Sequence, residues 1–149
     1  MSNVPVHQRR TSSVEFDNTY FKIYADCILI TKNNFSPRNN ELKTEYAEYI
    51  SCMKEKVLET VCDIGKNIRI ANSIYPIPDT ATFQSDYETR RKHQNIAIGL
   101  CFDLLTKYQL VMKTLQVPDN KYVNEIKNIM HEINCLKAWR SSDKKRYKH

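Results

Sequence analysis

The chain has 149 residues, 41% of them hydrophobic, only two glycines and a formal net charge of +6 at neutral pH. That length suits one domain able to take about two-thirds of its unfolded surface out of water, and glycine so far below the roughly 7% of average usage excludes hairpin-rich all-β folds and glycine-cradled phosphate sites. No apolar run approaches the ~18 residues that span a bilayer, and the first residues lack a hydrophobic leader core, so the expectation is a soluble cytoplasmic protein.

Residues 1–11 have no periodicity and read as a disordered segment. Ser12 and Glu15 form a capping-box pattern, after which Phe16, Tyr20, Ile23, Cys27 and Ile30 recur at helical spacing; the first helix is expected over about 12–33. Asn33 to Asn40 holds turn and cap formers. A second helix, about 41–72, follows from Tyr46, Ile50, Met53, Val57, Val61, Ile64, Ile68 and Ala71, with Gly65 either a weak point or a close crossing. Pro76 and Pro78 lie in the longest link, Ile74 to Gln84.

The third helix, about 86–116, organises the rest. Ser85 with Glu88 predicts its start, Pro118 its end, and Ala97, Leu100, Cys101, Leu104, Leu105, Tyr108, Val111, Met112 and Leu115 its buried stripe. So long an amphipathic helix needs partners of similar length. The fourth, about 120–141, is expected to begin at an Asp119 or Asn120 cap and to bury Val123, Ile126, Met130, Ile133 and Leu136, leaving 142–149 as a basic tail. The fold expected is all-α, an antiparallel up-down four-helix bundle over residues 12–141.

The pattern supplies little for catalysis. Five cysteines without a CxxC pair read as buried small hydrophobes rather than disulfides or a zinc motif. No Glu-x-x-His pair supplies di-iron ligands, and Glu45 with Glu48 reads as a solvated face. Arg90, Arg91 and His93 are too close for the Arg–His pair of HEPN-type helical ribonucleases. The expectation is a non-enzyme without cofactor or metal.

Charge location is more informative. Residues 137–149 carry +5, Arg9 and Arg10 add +2, and the remainder is about −1. A nearly neutral body with basic ends points to a polyanion, nucleic acid foremost, held by Arg90, Arg91, Lys92, Lys137, Arg140, Lys144, Lys145, Arg146 and Lys148. Arginine at such positions can grip phosphate through paired donors. Trp139, where the apolar face gives way to the basic tail, is expected to close the core.

Arg90 and Gln94 opening a helix through Ala97, Cys101, Leu104 and Leu105, then Glu132, Ile133 and Leu136, then Lys-Ala-Trp-Arg-Ser-Ser-Asp from Lys137 to Asp143, resemble a known family. It comprises four-helix-bundle proteins that include the accessory variability determinants of diversity-generating retroelements and relatives encoded in 23S ribosomal RNA intervening sequences. The resemblance spans about residues 14–143. It implies a basic homo-oligomer, a pentamer in the accessory determinants, that binds the element's reverse transcriptase and its template RNA or cDNA during mutagenic reverse transcription. An RNA-binding protein of the intervening-sequence type is the alternative, and a helical-bundle enzyme a more distant one.

Overall fold

The computed structural model describes residues 12–148, so the segment 1–11 expected to be disordered lies outside the described residues. Among the described residues every regular element is helical: α1 Ser12–Lys32, α2 Asn40–Glu45, α3 Ala47–Ser73, α4 Phe83–Thr114 and α5 Val123–Arg146. Four of these are long, and each long helix packs on two others: α1 on α3 and α5, and α4 on α3 and α5. The core lies between them, built on Phe16, Ile23 and Cys27 of α1, Val57, Val61 and Ile64 of α3, Ala97, Cys101 and Leu104 of α4, and Ile129, Ile133 and Leu136 of α5.

The stretch expected as one helix over 41–72 is two. Asn39 caps α2 by accepting from the Leu42 N–H at 2.9 Å, and Tyr46 leaves helical geometry at φ −104°, ψ 26°. This is a bend rather than a gap, since the Tyr46 N–H still reaches the Leu42 carbonyl at 2.9 Å and the Ile50 N–H the Tyr46 carbonyl at 2.8 Å. Gly65 is a close crossing. A Cβ there would sit 2.5 Å from Cζ of Tyr20, whose hydroxyl donates to the Val61 carbonyl at 2.8 Å.

Two helices end on left-handed residues that are not glycine. At the end of α1, Asn34 (φ 51°) lets the Phe35 N–H reach the Ile30 carbonyl at 3.0 Å and its own N–H reach that of Thr31 at 3.1 Å. At the end of α4, Gln116 (φ 55°) does the same, with Val117 N–H on Met112 at 2.9 Å and its own on Lys113 at 3.4 Å. Both are Schellman closures, which satisfy carbonyls the helix leaves over. The two ends are tied together: Tyr122 Oη donates to the Phe35 carbonyl, Arg38 N–H to the Leu115 carbonyl at 3.3 Å, and Lys121 Nζ to the Ser36 carbonyl at 3.2 Å.

The helix starts differ from the capping expectations. Helix α4 begins at Phe83 without a side-chain cap, and Phe83 and Tyr87 pack on Tyr147, with ring centroids 6.2 and 5.8 Å away. Helix α5 begins at Val123, again without a side-chain cap, and runs on to Arg146. Its buried face agrees with the one expected at Ile133, Leu136 and the half-buried Ile126 but not at Val123, which is exposed, or Met130, which is 54% exposed; Ile129, Glu132, Cys135, Trp139 and Asp143 also face inward.

Candidate nucleic-acid interface

The proposed interface is built on a buried clasp between the start of α4 and the end of α5. Arg90, Gln94 and Ala97 recur at helical spacing on the inner side of α4, and Leu136, Trp139 and Asp143 on the inner side of α5. Arg90 Nε donates to Asp143 Oδ2 at 2.6 Å and its Nη2 to Oδ1 at 3.0 Å, a two-pronged carboxylate grip. Gln94 Nε2 donates to the same Oδ2 at 2.6 Å, and Arg90 Nη1 to the Ile74 carbonyl at 2.8 Å. The guanidinium also lies 5.1 Å from the Trp139 ring centroid and 5.9 Å from that of Tyr147. Trp139 in turn stacks on Phe16 at 4.2 Å and closes the core, as its sequence position suggested.

Arg90 is therefore not a surface contact. It is 3% exposed and its charge is neutralised by Asp143, so it has no face to offer a phosphate. Three consecutive helical positions splay over most of a turn, and Arg90 is the one that points inward. The remaining candidates stay accessible. Lys92, Lys137, Lys144, Lys145, Arg146 and Lys148 are exposed, and Arg91 and Arg140 are half-buried. Arg91 Nη1 donates to the Tyr87 hydroxyl at 3.1 Å, Arg140 Nη1 to Asn95 Oδ1 at 2.8 Å, and the Lys137 ammonium sits 5.5 Å over the Phe102 ring.

Among the described residues the ion pairs are Arg90–Asp143, Lys107–Asp103 and His131–Glu15, so none of these accessible cations is paired with a described carboxylate. The clasp brings them together. By joining the first turns of α4 to the last turns of α5 it sets Arg91 and Lys92 at the same end as Lys144 to Lys148, and it keeps residues 142–146 helical where a tail was expected.

The seam between α4 and α5 contains a second buried polar feature. Glu132 is fully buried, neither carboxylate oxygen has a partner, and burial, helped by Asp17, pushes its carboxyl up to about 9. An ionised carboxylate there would be prohibitively costly, so Glu132 is a neutral acid at pH 7. Gln94 Oε1 is likewise buried without a partner. The Cys101 thiol on the facing helix is pushed well above its ordinary range by the same burial, with Glu132 adding to it. On the α3 side, His93 Nδ1 lies 2.8 Å from Asn67 Oδ1, and the Asn67 amide nitrogen donates to the Asp63 carbonyl at 2.9 Å.

Of the residues that carry the resemblance, Lys137, Ala138, Ser141 and Ser142 are exposed and Leu105 and Arg140 half-buried, while the others are interior. Arg90, Gln94, Ala97, Cys101, Leu104, Glu132, Ile133, Leu136, Trp139 and Asp143 are all buried along the α4–α5 seam. The buried role of Arg90 and Asp143 was missed in sequence, since a charge at a core position looks like a solvated one; an Arg aligned in helical register with Gln94 and Ala97 was the available signal. Comparison with family models, with curated proteins and with solved structures finds no match to this chain. Among the described residues, no helix is long and apolar enough to cross a membrane.

Proposed function

We propose that the chain is a non-enzymatic accessory subunit of a diversity-generating retroelement, a cytoplasmic antiparallel up-down four-helix bundle that binds the element's reverse transcriptase and its template RNA or cDNA. The observation that carries this reading is the cluster of unneutralised cations at the joined ends of α4 and α5. A field of one sign on a rigid helical end attracts polyphosphate from a distance and holds it by counterion release. The contacts expected to carry it are Arg91, Lys92, Lys137, Arg140, Lys144, Lys145, Arg146 and Lys148, with Arg90 supporting them from inside. The bundle topology is supported by the closed set of neighbours among the four long helices and by the pairing of Arg90 with Asp143, Asn95 with Arg140 and Phe102 with Lys137 along α4 and α5.

Self-association into a homo-oligomer, a pentamer by family resemblance, is supported by the outer face of α1, where Phe21, Tyr24, Ile28 and Leu29 are exposed together. Five copies would multiply the charge to roughly +30 and steepen the salt dependence. The experiment is co-expression with the genes that flank the chain, followed by purification on the chain itself. Recovery of a reverse transcriptase with bound RNA supports the reading. Recovery of the chain alone, from a locus without a reverse transcriptase, overturns it and favours the intervening-sequence-type alternative.

A further inference from the structure

On the α1–α5 side, away from the basic end, three side chains of different chemistry converge. His131 Nε2 lies 3.0 Å from Glu15 Oε1 and 3.5 Å from Cys135 Sγ, and all three atoms fall within 4.8 Å of one another. Glu15 comes from the first turn of α1, while His131 and Cys135 stand four residues apart on α5 and so share one face of it. Glu15 and His131 have half-exposed side chains, at 61% and 51%, and Cys135 lies behind them in the core. The group therefore has a buried floor, where Thr19 hydrogen-bonds Cys135, and a mouth open to water.

Hydrogen bonding serves the Cys135 thiol through Thr19 and the Glu15 carboxylate through His131, and leaves the close His131–Cys135 approach unused. Nε2 carries either one proton or one lone pair, so it cannot donate to the carboxylate and accept from the thiol at once. A half-exposed carboxylate–histidine pair is also worth little by itself. A cation at the centroid would satisfy all three donors together. Zinc bonds of about 2.3 Å to sulfur and about 2.0–2.1 Å to nitrogen and oxygen, at tetrahedral angles, set the S···N separation at about 3.5 Å and the N···O separation at about 3.3 Å. The first matches the separation found, and the second differs from it by a few tenths of an ångström.

We propose that Glu15, His131 and Cys135 form a binding site for a borderline-soft divalent cation, Zn2+ by the chemistry of its ligands. The thiolate and imidazole select against Mg2+ and Ca2+, which prefer all-oxygen shells. Three protein ligands leave the fourth position to water. Binding releases the Cys135 thiol proton to solvent and leaves a Zn–S bond in its place. The ion would pin the start of α1 to α5, about three turns of α1 from the Asn128–Asp26 hydrogen bond of 3.1 Å that joins the same two helices.

The test is a titration of the full chain with Co2+, which reports thiolate ligation as a charge-transfer band, followed by displacement with Zn2+. The expected result is one equivalent bound with that band, its loss in Cys135→Ser, and at least tenfold weaker binding in His131→Ala. Helicity by circular dichroism should stay unchanged in His131→Ala, because that side chain is half-exposed. Zn2+ at a hundredfold excess over its Kd should raise Tm on the order of 5 °C in the parent and not in Cys135→Ser. Absence of a charge-transfer band in the parent overturns the proposal. So does a band that survives Cys135→Ser and disappears instead on replacing the exposed Cys52 or Cys62.

Discussion

The α1–α3 and α4–α5 seams are solved by opposite chemistry. Between α1 and α3, Ile23, Cys27, Val57, Val61 and Ile64 are packed apolar atoms, with the Tyr20 hydroxyl on a backbone carbonyl and Gly65 leaving room for its ring. Between α4 and α5 the buried set includes a charged pair, an amide and a neutral acid: Arg90, Asp143, Gln94 and Glu132. Apolar packing is adaptable, so the first seam tolerates modest change. A buried charge pair contributes little net stability yet punishes the loss of either partner, so the second seam has fewer ways to assemble. That rigidity matters at the end where the accessible cations gather.

The largest test of this contrast is Asp143→Ala. It leaves the Arg90 guanidinium buried and unpaired, and denaturant unfolding should show a loss of about 3–5 kcal/mol, with reduced helicity as the last turns of α5 fray. A loss under 1 kcal/mol would mean that Arg90 escapes to water. Next comes Glu132→Gln. The unfolded chain releases this proton near the ordinary 4.5 and the folded chain only near about 9, so stability drains as pH rises between those values. The amide is neutral throughout. The variant should match the parent at about pH 4, exceed it by a few kcal/mol at about pH 8, and lose the slope.

On the apolar seam, Gly65→Ala gains about 1 kcal/mol of helix propensity but must displace the Tyr20 ring and its hydrogen bond to Val61. Thermal melts should show a net loss of about 1 kcal/mol, only partly recovered when Tyr20→Phe is added, because the ring carbons also lie inside contact distance of the new Cβ. The smallest effect belongs to the turn joining α4 and α5. Gln116 sits at φ 55°, where glycine carries no Cβ penalty, so Gln116→Gly should stabilise by about 0.5–1 kcal/mol.

The same contrast decides what could be read from sequence. The stripes of α1 and α3 were legible because their buried polar residues, Thr19, Thr31, Thr60 and Asn67, are uncharged and stand beside an apolar series that keeps the 3.6-residue period. The bend at Tyr46 left no trace because the apolar register runs through it. On α5 two inward positions, Glu132 and Asp143, are acidic, so an apolar count rotates the apparent face toward Val123 and Met130. Arg90 was misplaced for the same reason, and extending α5 past Ser141 required knowing that Asp143 is anchored. The Ser12–Glu15 box marked the start of α1, whereas the Ser85–Glu88 box misled: α4 begins earlier, at Phe83, whose ring packs on Tyr147. The cations of 144–148 were legible as a charge run, but their union with Arg91 and Lys92 at one end depends on the clasp.

The proposed interface requires that the joined cations, and not the buried arginine, hold nucleic acid. The deciding measurement is the slope of log affinity against log salt for one structured RNA, taken on the parent and on Lys92→Gln combined with Lys144→Gln, Lys145→Gln and Arg146→Gln. The variant should show a slope shallower by roughly 3, at least tenfold weaker binding at low salt and unchanged helicity, with no such change when the exposed Lys56 and Lys66 of α3 are neutralised instead. Equal slopes and equal affinities for the two proteins would contradict the proposed interface.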